Sequence, residues 1–598
     1  MSTLRQLFRF LSPRERRQVL LLLPLLIATA LVQVVGIASV VPFLAVVADP
    51  DAMTRYVSLA RLYELGGFEE MRSFLIALGA LMFVIIVGSN GLNVLSTWAV
   101  LRFSWMRSHT IAVRILRGFL ARPYVFFLEQ HSADLGRNLL GEVVQIVTGT
   151  LVPAMKALSG AIVALAVLAL LFYVDPLLAL LTGVVMGGAY GLLFFAVRRR
   201  QRHMGQVRLA ANKGRYKTLA ETFGGIKDVK LLGREATMVR RFARPSADYA
   251  AATALNAVVA EVPRFALEGI ALGGVVLMVL YLVQREQGFE AIVPTIGLYT
   301  FAGYRLMPAL QQIFHGLTNI RFNSAGLDNL REYLPAGEVE FSERRAVAPL
   351  PLARSIRYRD VWFQYPTAKE PLFRGVDLVI EAGRSTAFVG ATGSGKSTLG
   401  DLLLGLLRPD RGEIEIDGVP VDDANLRAWQ RNLGYVPQSI FLADDTITRN
   451  IAFGLPDERI DREAVVRAAR AACIDEFVEH ELPKGYDTVV GERGVRLSGG
   501  QRQRIGIARA LYHDPQVILF DEATSSLDNV TEEQVLEAVA ELARTRTTIT
   551  IAHRLSTVRA CDRILLLAGG EVVASGTYDE LLASEPRFQA LALAGPGR

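Results

Sequence analysis

The sequence predicts a multidomain membrane protein: a six-helix α transmembrane domain followed by an α/β domain built round a phosphate-binding loop. Three observations predict it. Long charge-free apolar runs fill the first half, and short β-branched strands alternating with polar helices fill the second. Between one such strand and the next helix, Gly390-Ala-Thr-Gly-Ser-Gly-Lys396-Ser397 fits G-x-x-x-x-G-K-[ST]. The 598-residue length is too great for one core, and 51% apolar residues with a mean hydropathy of +0.30 demand a membrane part.

The spans come first. Residues 19–48, 73–101 and 176–197 carry no charge, and each exceeds the roughly 20 residues that cross a bilayer's hydrocarbon. Residues 157–174 make a further span, parted from the 176–197 run by Asp175 alone, which predicts a tight hairpin. Residues 263–283 and 291–314 complete the six. They contain Arg264, Glu268 and Arg305, charges too costly for lipid, so these two helices are expected to face a cavity. Pro263, Pro294 and Pro308 are candidate kinks.

Basic residues set the orientation. Arg14, Arg16 and Arg17 precede the first span, Arg102 and Arg107 follow the second, and Arg198, Arg199 and Arg200 follow the fourth, so those ends are cytoplasmic. The acid-rich 49–72 segment is then external, with 54–65 readable either as an amphipathic surface helix or as loop packing. The basic N-terminus leads into an apolar run too long for a signal-peptide core and is expected to be retained. The connections 102–140 and 198–261 are long and helix-like, so the helices should extend well below the membrane. The net charge of +6 follows from such cytoplasmic arginines, and no nucleic-acid partner is expected. Cys473 and Cys561, far apart, suggest neither a disulfide nor a zinc site.

The expected boundaries are 1–335 for the transmembrane domain, 336–351 for a linker rich in charge, Pro and Ala, 352–592 for the α/β domain and 593–598 for a tail. In the phosphate loop, Gly390, Gly393 and Gly395 let backbone N–H groups turn inward, and Lys396 neutralises charge. Ser397 is placed to ligate Mg2+, with Thr398 beside it on the helix. A second buried strand, 516–520, delivers Asp521 towards the metal and Glu522 towards an attacking water.

Here the residues resemble a family. Leu497-Ser498-Gly499-Gly500-Gln501, directly before that acidic strand, resembles the signature motif of ATP-binding cassette (ABC) proteins. Tyr365 is similar to the aromatic residue that stacks on adenine, Gln438 to the Q-loop glutamine, Asp528 to the D-loop aspartate and His553 to the switch histidine. The segment 491–494 is similar to one in ABC exporters that touches the membrane domain. The resemblance implies ATP and Mg2+ as cofactors, with Gln438 and Asp521 joining Ser397 at the metal. It implies hydrolysis with Glu522 as base, His553 on the γ-phosphate and Gln438 as sensor. Ser498 and Gly500 would complete the P-loop site of a second copy of the same chain. No motif position is degraded, which favours a homodimer in a cell (inner) membrane with its ATPase domain in the cytoplasm.

Six spans before one cassette is the half-transporter layout of ABC exporters, whose coupling helices would fall at 123–130 and 224–233. Within exporters, 262–269, 304–308 and 39–43 resemble the lipid-linked oligosaccharide flippases of bacterial protein N-glycosylation. That resemblance implies a polyprenyl-pyrophosphate glycan or similar anionic amphiphile as cargo, its head drawn through by Arg264 and Arg305 while the tail stays among membrane lipids. Ser89 and Gln312 stand where those flippases carry further arginines. The opposing reading pairs Arg264 and Arg305 with Glu268 or helix carbonyls to hold the bundle. Export of other lipids, drugs or peptides is the alternative function. An ATP-gated channel or regulator is the opposing class, against which intact Glu522 and His553 speak.

Overall fold

The structure is a computed structural model that describes residues 7–594 apart from 9, 49–60, 62, 69, 285–288, 336, 338, 340, 342–346, 492–493, 523–536, 538 and 553–554. It divides into two compact units, Met1–Arg122 with Gln130–Glu340, and Pro123–Glu129 with Phe341–Arg598.

The first unit is helical. Five stretches are long and apolar enough to cross a membrane among the described residues: Pro13–Val47, Met71–Leu120, Ser132–Val174, Pro176–Gly224 and Glu235–Gly274. The sixth predicted span lies on the 34-residue helix Phe289–Phe322, which carries Arg305, Gln311 and His315. Asp175 alone joins Val152–Val174 to Pro176–Gly224, and its carboxylate caps the second by accepting from Leu177 N and Leu178 N at 3.0 Å. Pro245 and Pro263 sit inside the continuous helix Glu235–Gln284. Part of the predicted surface helix, 54–60 and 62, lies outside the described residues.

Small residues set how closely these helices approach. A Cβ on Gly160 would lie 2.5 Å from Ala309 O, and one on Gly316 would lie 2.4 Å from the Ala157 Cβ, so Val152–Val174 and Phe289–Phe322 meet backbone to backbone. Ala30, Val167, Leu171, Ala179, Leu298 and Ala302 form the core around that contact. Below it, two π-helical segments, Arg137–Glu142 and Val147–Leu151, interrupt the run into the third span. Glu142, fully buried, accepts from Arg208 Nη2 and Asn212 Nδ2, both at 2.9 Å.

The second unit is the α/β domain. An antiparallel sheet of order β2-β1-β4-β5 uses β1 (Ser355–Phe363), β2 (Phe373–Glu381), β4 (Arg411–Ile416) and β5 (Val419–Pro420). The six-stranded sheet has order β10-β9-β3-β8-β7-β6, from β3 (Ser385–Gly390), β6 (Leu433–Val436), β7 (Val517–Asp521), β8 (Thr547–Ile551), β9 (Arg563–Ala568) and β10 (Glu571–Gly576). Its central strands pair in parallel, are covered on both faces and therefore read as unbroken apolar runs such as Val517-Ile-Leu-Phe. The short helices predicted between membrane spans appear as Tyr124–Glu129 and Ile226–Leu231. The first belongs to this second unit, where Val125 packs on the cluster holding Phe388, Leu399 and Leu519.

Candidate nucleotide site

Sheet register assembles the site. Phe388 on β3 and Asp521 on β7 both pair with Ile551 of the strand between them, so the phosphate loop and the acidic pair leave the sheet at one level. Ligands of open parallel sheets bind at such carboxyl ends. Glu522 N donates to Ile551 O at 3.0 Å and Ala552 N to Phe388 O at 3.2 Å, which extends that level past the strands.

The loop needs its glycines. Gly393 and Gly395 have φ of +82° and +102°, and a Cβ on Gly395 would lie 2.6 Å from the buried Phe373 ring. Helix Lys396–Leu403 starts directly after, pointing its N-terminal N–H groups at the loop. Lys396, only 4% exposed, arches back and donates to Gly390 O at 2.8 Å and Ala391 O at 3.0 Å. Burial pulls its ammonium below the ordinary lysine range, while Glu522 and Asp521 oppose the shift. Ser397 and Thr398 follow on the first turn. Tyr365 reaches this turn: its hydroxyl lies 3.0 Å from the Thr398 hydroxyl, and its ring stands edge-on to Phe363.

Opposite the loop, Glu522 adopts φ of +50°, strained for a residue with a Cβ, and its Oε2 accepts from Gln438 Nε2 at 2.6 Å. Two predicted residues 84 positions apart are thus in direct contact. The structure adds residues the sequence did not signal. Asp401, on the phosphate-loop helix, is pushed up to about 6 by burial and by Asp521. Tyr435 at the end of β6 is likewise pushed far above the ordinary phenol range, by burial first and by Asp521 and Asp401 next. The spacing of Asp401 five residues after Lys396 is the one hint available in the sequence.

Ser498 and Gly500 are built differently. Ser498 caps helix Gly499–Leu511 in a reciprocal box, accepting from Gln501 N at 3.2 Å and donating its own N–H to Gln501 Oε1 at 2.8 Å. The helix they open packs its Ile505, Ile507 and Leu511 into the core of the helical layer with Val465 and Val478. Asp528 and His553 lie outside the described residues, as do Glu492 and Arg493.

Comparison with known proteins decides the family. Residues 373–525 match the ABC transporter family, and residues 19–302 match the ABC transporter transmembrane region. The chain is 35% identical to an ATP-dependent lipid A-core flippase of Alkalilimnicola ehrlichii over 80% of its length and 82% of that protein. The chain belongs to the ABC transporters. A second protein of that printed name, from Ralstonia nicotianae, is 32% identical over 80% of this chain and 81% of its own. The structure of a bacterial Atm1-family ABC exporter with ATP bound matches with a TM-score of 0.78 at 25% identity, covering 98% of this chain and 99% of that one. The protein is therefore an ABC exporter half-transporter, a multi-span membrane protein whose cytoplasmic domain binds ATP and couples its hydrolysis to transport.

On the exporter's membrane helices the two candidate substrate arginines differ. Arg264 Nε donates to Glu268 Oε1 at 2.9 Å, one turn along the same helix, as the structural alternative anticipates. Arg305 instead donates to Asn90 Oδ1 at 3.1 Å and lies 5.9 Å from the Tyr304 ring centroid. Among the described residues no carboxylate pairs with it. Asn90 was not signalled by the sequence. Its neighbour Ser89 is buried and bonds back to Ile86 O at 2.9 Å.

Proposed function

We propose that two copies of this chain form an outward-directed flippase for an anionic glycolipid, either a lipid-linked oligosaccharide or a lipid bearing a phosphorylated saccharide head. The observation that carries the reading is Arg305, a membrane-helix guanidinium held by the neutral Asn90 rather than by a carboxylate among the described residues. It can exchange that amide for a phosphate oxygen and gain a charge-assisted bond. Relatives named as lipid A-core flippases support a lipid cargo. Arg264, already satisfied by Glu268, is the weaker of the two contacts.

In this reading the ATPase domain occupies residues 352–592 after a 336–351 linker. Gly390, Gly393, Gly395, Lys396, Ser397 and Thr398 cradle the phosphates, and Tyr365 stacks on the base. The Ser397 hydroxyl, the Gln438 amide and the Asp521 carboxylate offer oxygen, the donor type Mg2+ takes, so this donor set fits the ion. Bound there with the phosphates, Mg2+ would neutralise charge on them. Glu522, held by Gln438, orients and deprotonates the attacking water, and His553 binds the γ-phosphate. Ser498, Gly500 and Asp528 complete the partner copy's site, so nucleotide joins the two cassettes.

The test is flipping in proteoliposomes with fluorescent polyprenyl-pyrophosphate glycans and rough-type lipopolysaccharide, for the wild type and Arg305→Ala. Transport of at least one glycolipid, lost in the variant while basal ATPase persists, is expected. Movement of unrelated lipids or drugs without either glycolipid sinks the reading.

A further inference from the structure

The transmembrane unit carries a polar cavity far along the chain from the nucleotide loop. Its volume is about 430 Å³, within the range of small-molecule sites, and it lies among the start of the third helical run, the middle of Pro176–Gly224 and the helix Ser324–Arg331. Three cations line it, Arg137, Arg202 and Lys213, against two carboxylates, Asp134 and Asp328. Asp134 is shared at 3.5 Å between Arg137 Nη2 and Lys213 Nζ, too long for either to be a tight pair.

Arg137 is the most buried of the three cations. It is 4% exposed, its Nη2 donates to Asn138 Oδ1 at 3.0 Å, and its Nε has no partner among the described residues. A buried guanidinium N–H left unpaired is costly, so the bonds Arg137 makes to its own neighbours leave its side chain incompletely satisfied. The rest of the wall offers amides, Gln130, Gln206 and Asn329, and one aromatic ring, Tyr333, set edge-on to Phe119 at 5.2 Å.

We infer that this cavity is a binding site for an anionic saccharide, a sugar bearing a phosphate or carboxylate. The three cations that line the cavity take the anion. The amides and carboxylates take ring hydroxyls, which a bare phosphate lacks, and the Tyr333 ring offers an apolar face. Depth narrows the source. With the membrane boundary at Arg198–Arg200, helix rise puts Arg202 about 6 Å below Arg198, at headgroup depth, and Lys213 about 22 Å below it, deeper than a phospholipid headgroup extends. The ligand is therefore either a soluble sugar phosphate or the long glycan head of a lipid-linked cargo. Only the second source rests on the function proposed above.

The experiment uses the full-length protein in nanodiscs, with hexose phosphates, hexuronates and inorganic phosphate as probes and Arg202→Ala/Lys213→Ala as the variant. Both side chains lie outside the ATPase machinery, so basal hydrolysis should be unchanged. Calorimetry is expected to show a sugar anion binding, with the variant weaker by roughly tenfold or more, about one charge-assisted contact. No binding by any sugar anion, an unchanged variant, or inorganic phosphate binding as well as the sugars overturns the inference. ATPase stimulation by rough lipopolysaccharide and by lipid A separates the sources. A variant that loses the extra stimulation from the glycan places the cargo's head here, and one that keeps it assigns the site to a soluble ligand. If sugar anions bind while no glycolipid stimulates or moves, the transport reading falls and this site stands.

Discussion

Replacing Arg208 by Met should be among the most destabilising single changes in the transmembrane unit. Arg208 is 2% exposed and Glu142 0% exposed, and the Arg208 Nη2 to Glu142 Oε2 distance is 2.9 Å. Gly326 closes the site from above, since a Cβ there would lie 3.3 Å from Glu142 Oε2, so no water-sized gap stands ready to hydrate an orphaned carboxylate. Arg208→Met leaves Glu142 with the Asn212 amide alone, and breaking a buried pair from one side costs about 3–5 kcal/mol. The surface supplies a control of equal length: Arg241 Nη2 and Glu221 Oε2 are also 2.9 Å apart, with both side chains more than a third exposed. That pair is worth roughly 0–1 kcal/mol, so the two arginines separate burial from distance. The double change Arg208→Met/Glu142→Leu should recover most of the loss, because two apolar groups of similar volume leave no charge behind. Urea unfolding of the detergent-solubilised protein, followed by protection of a buried reporter in each background, gives the cycle. Equal losses from Arg208→Met and Arg241→Met, or a double variant as poor as the single, would refute the reasoning.

Glu522→Gln should lower ATP hydrolysis by roughly 10²-fold or more while ATP is still bound, read by phosphate release and nucleotide retention; undiminished turnover removes the base assignment. Gly395→Ala should abolish nucleotide retention and cost about 1–3 kcal/mol, because its Cβ meets the Phe373 ring at 2.6 Å in a backbone of φ +102°. Wild-type retention in that variant would show the loop free to shift. The Asp562 carboxylate is held below the ordinary range, first by the Ser385 N–H at 2.8 Å, with the Ser385 hydroxyl adding a second bond. Its stabilisation is present above the ordinary carboxylate pKa of about 4 and is lost as pH falls through the lower folded value. Asp562→Asn should therefore flatten the ATPase domain's acid unfolding as pH falls below the ordinary carboxylate pKa of about 4, read by circular dichroism against pH; an unchanged acid limb would remove the assignment.

What the sequence revealed follows from the range over which each interaction acts. The charge-free spans, the Asp175 turn and the phosphate loop are local, written in stretches of a few to thirty residues, and all were legible. Arg264–Glu268, four residues apart on one helix, was legible for the same reason. Arg305–Asn90 was not, with 215 positions between its members, nor was Glu142–Arg208 with 66. Arg305 stands out in the sequence as a charge on a span, but nothing there points to Asn90, and Glu142 and Arg208 read as ordinary polar positions; in both cases only the fold supplies the partner. The π-helical turns at Arg137–Glu142 and Val147–Leu151 escaped for a different reason: they alter hydrogen-bond register without altering apolar periodicity.

The acidic cluster at the nucleotide site is where local and distant information meet. Asp401 stands on the phosphate-loop helix, Asp521 on β7 and Tyr435 on β6; after burial, Asp521 raises the proton affinity of Asp401, and Asp521 and Asp401 raise that of Tyr435. Tyr124 joins them, pushed above the ordinary phenol range by burial first and then by Asp401 and Tyr365. Tyr124 opens the short helix Tyr124–Glu129, which is three residues from the end of Met71–Leu120 and yet belongs to the ATPase unit. Tyr124 therefore feels Asp401, which in turn feels Asp521, and it does so on a segment covalently continuous with a membrane helix. The route from hydrolysis to the membrane need not be a long chain of packed side chains. On the function proposed here, it is one helix whose first aromatic residue lies in the field of Asp401, itself in the field of the carboxylate proposed to bind the metal.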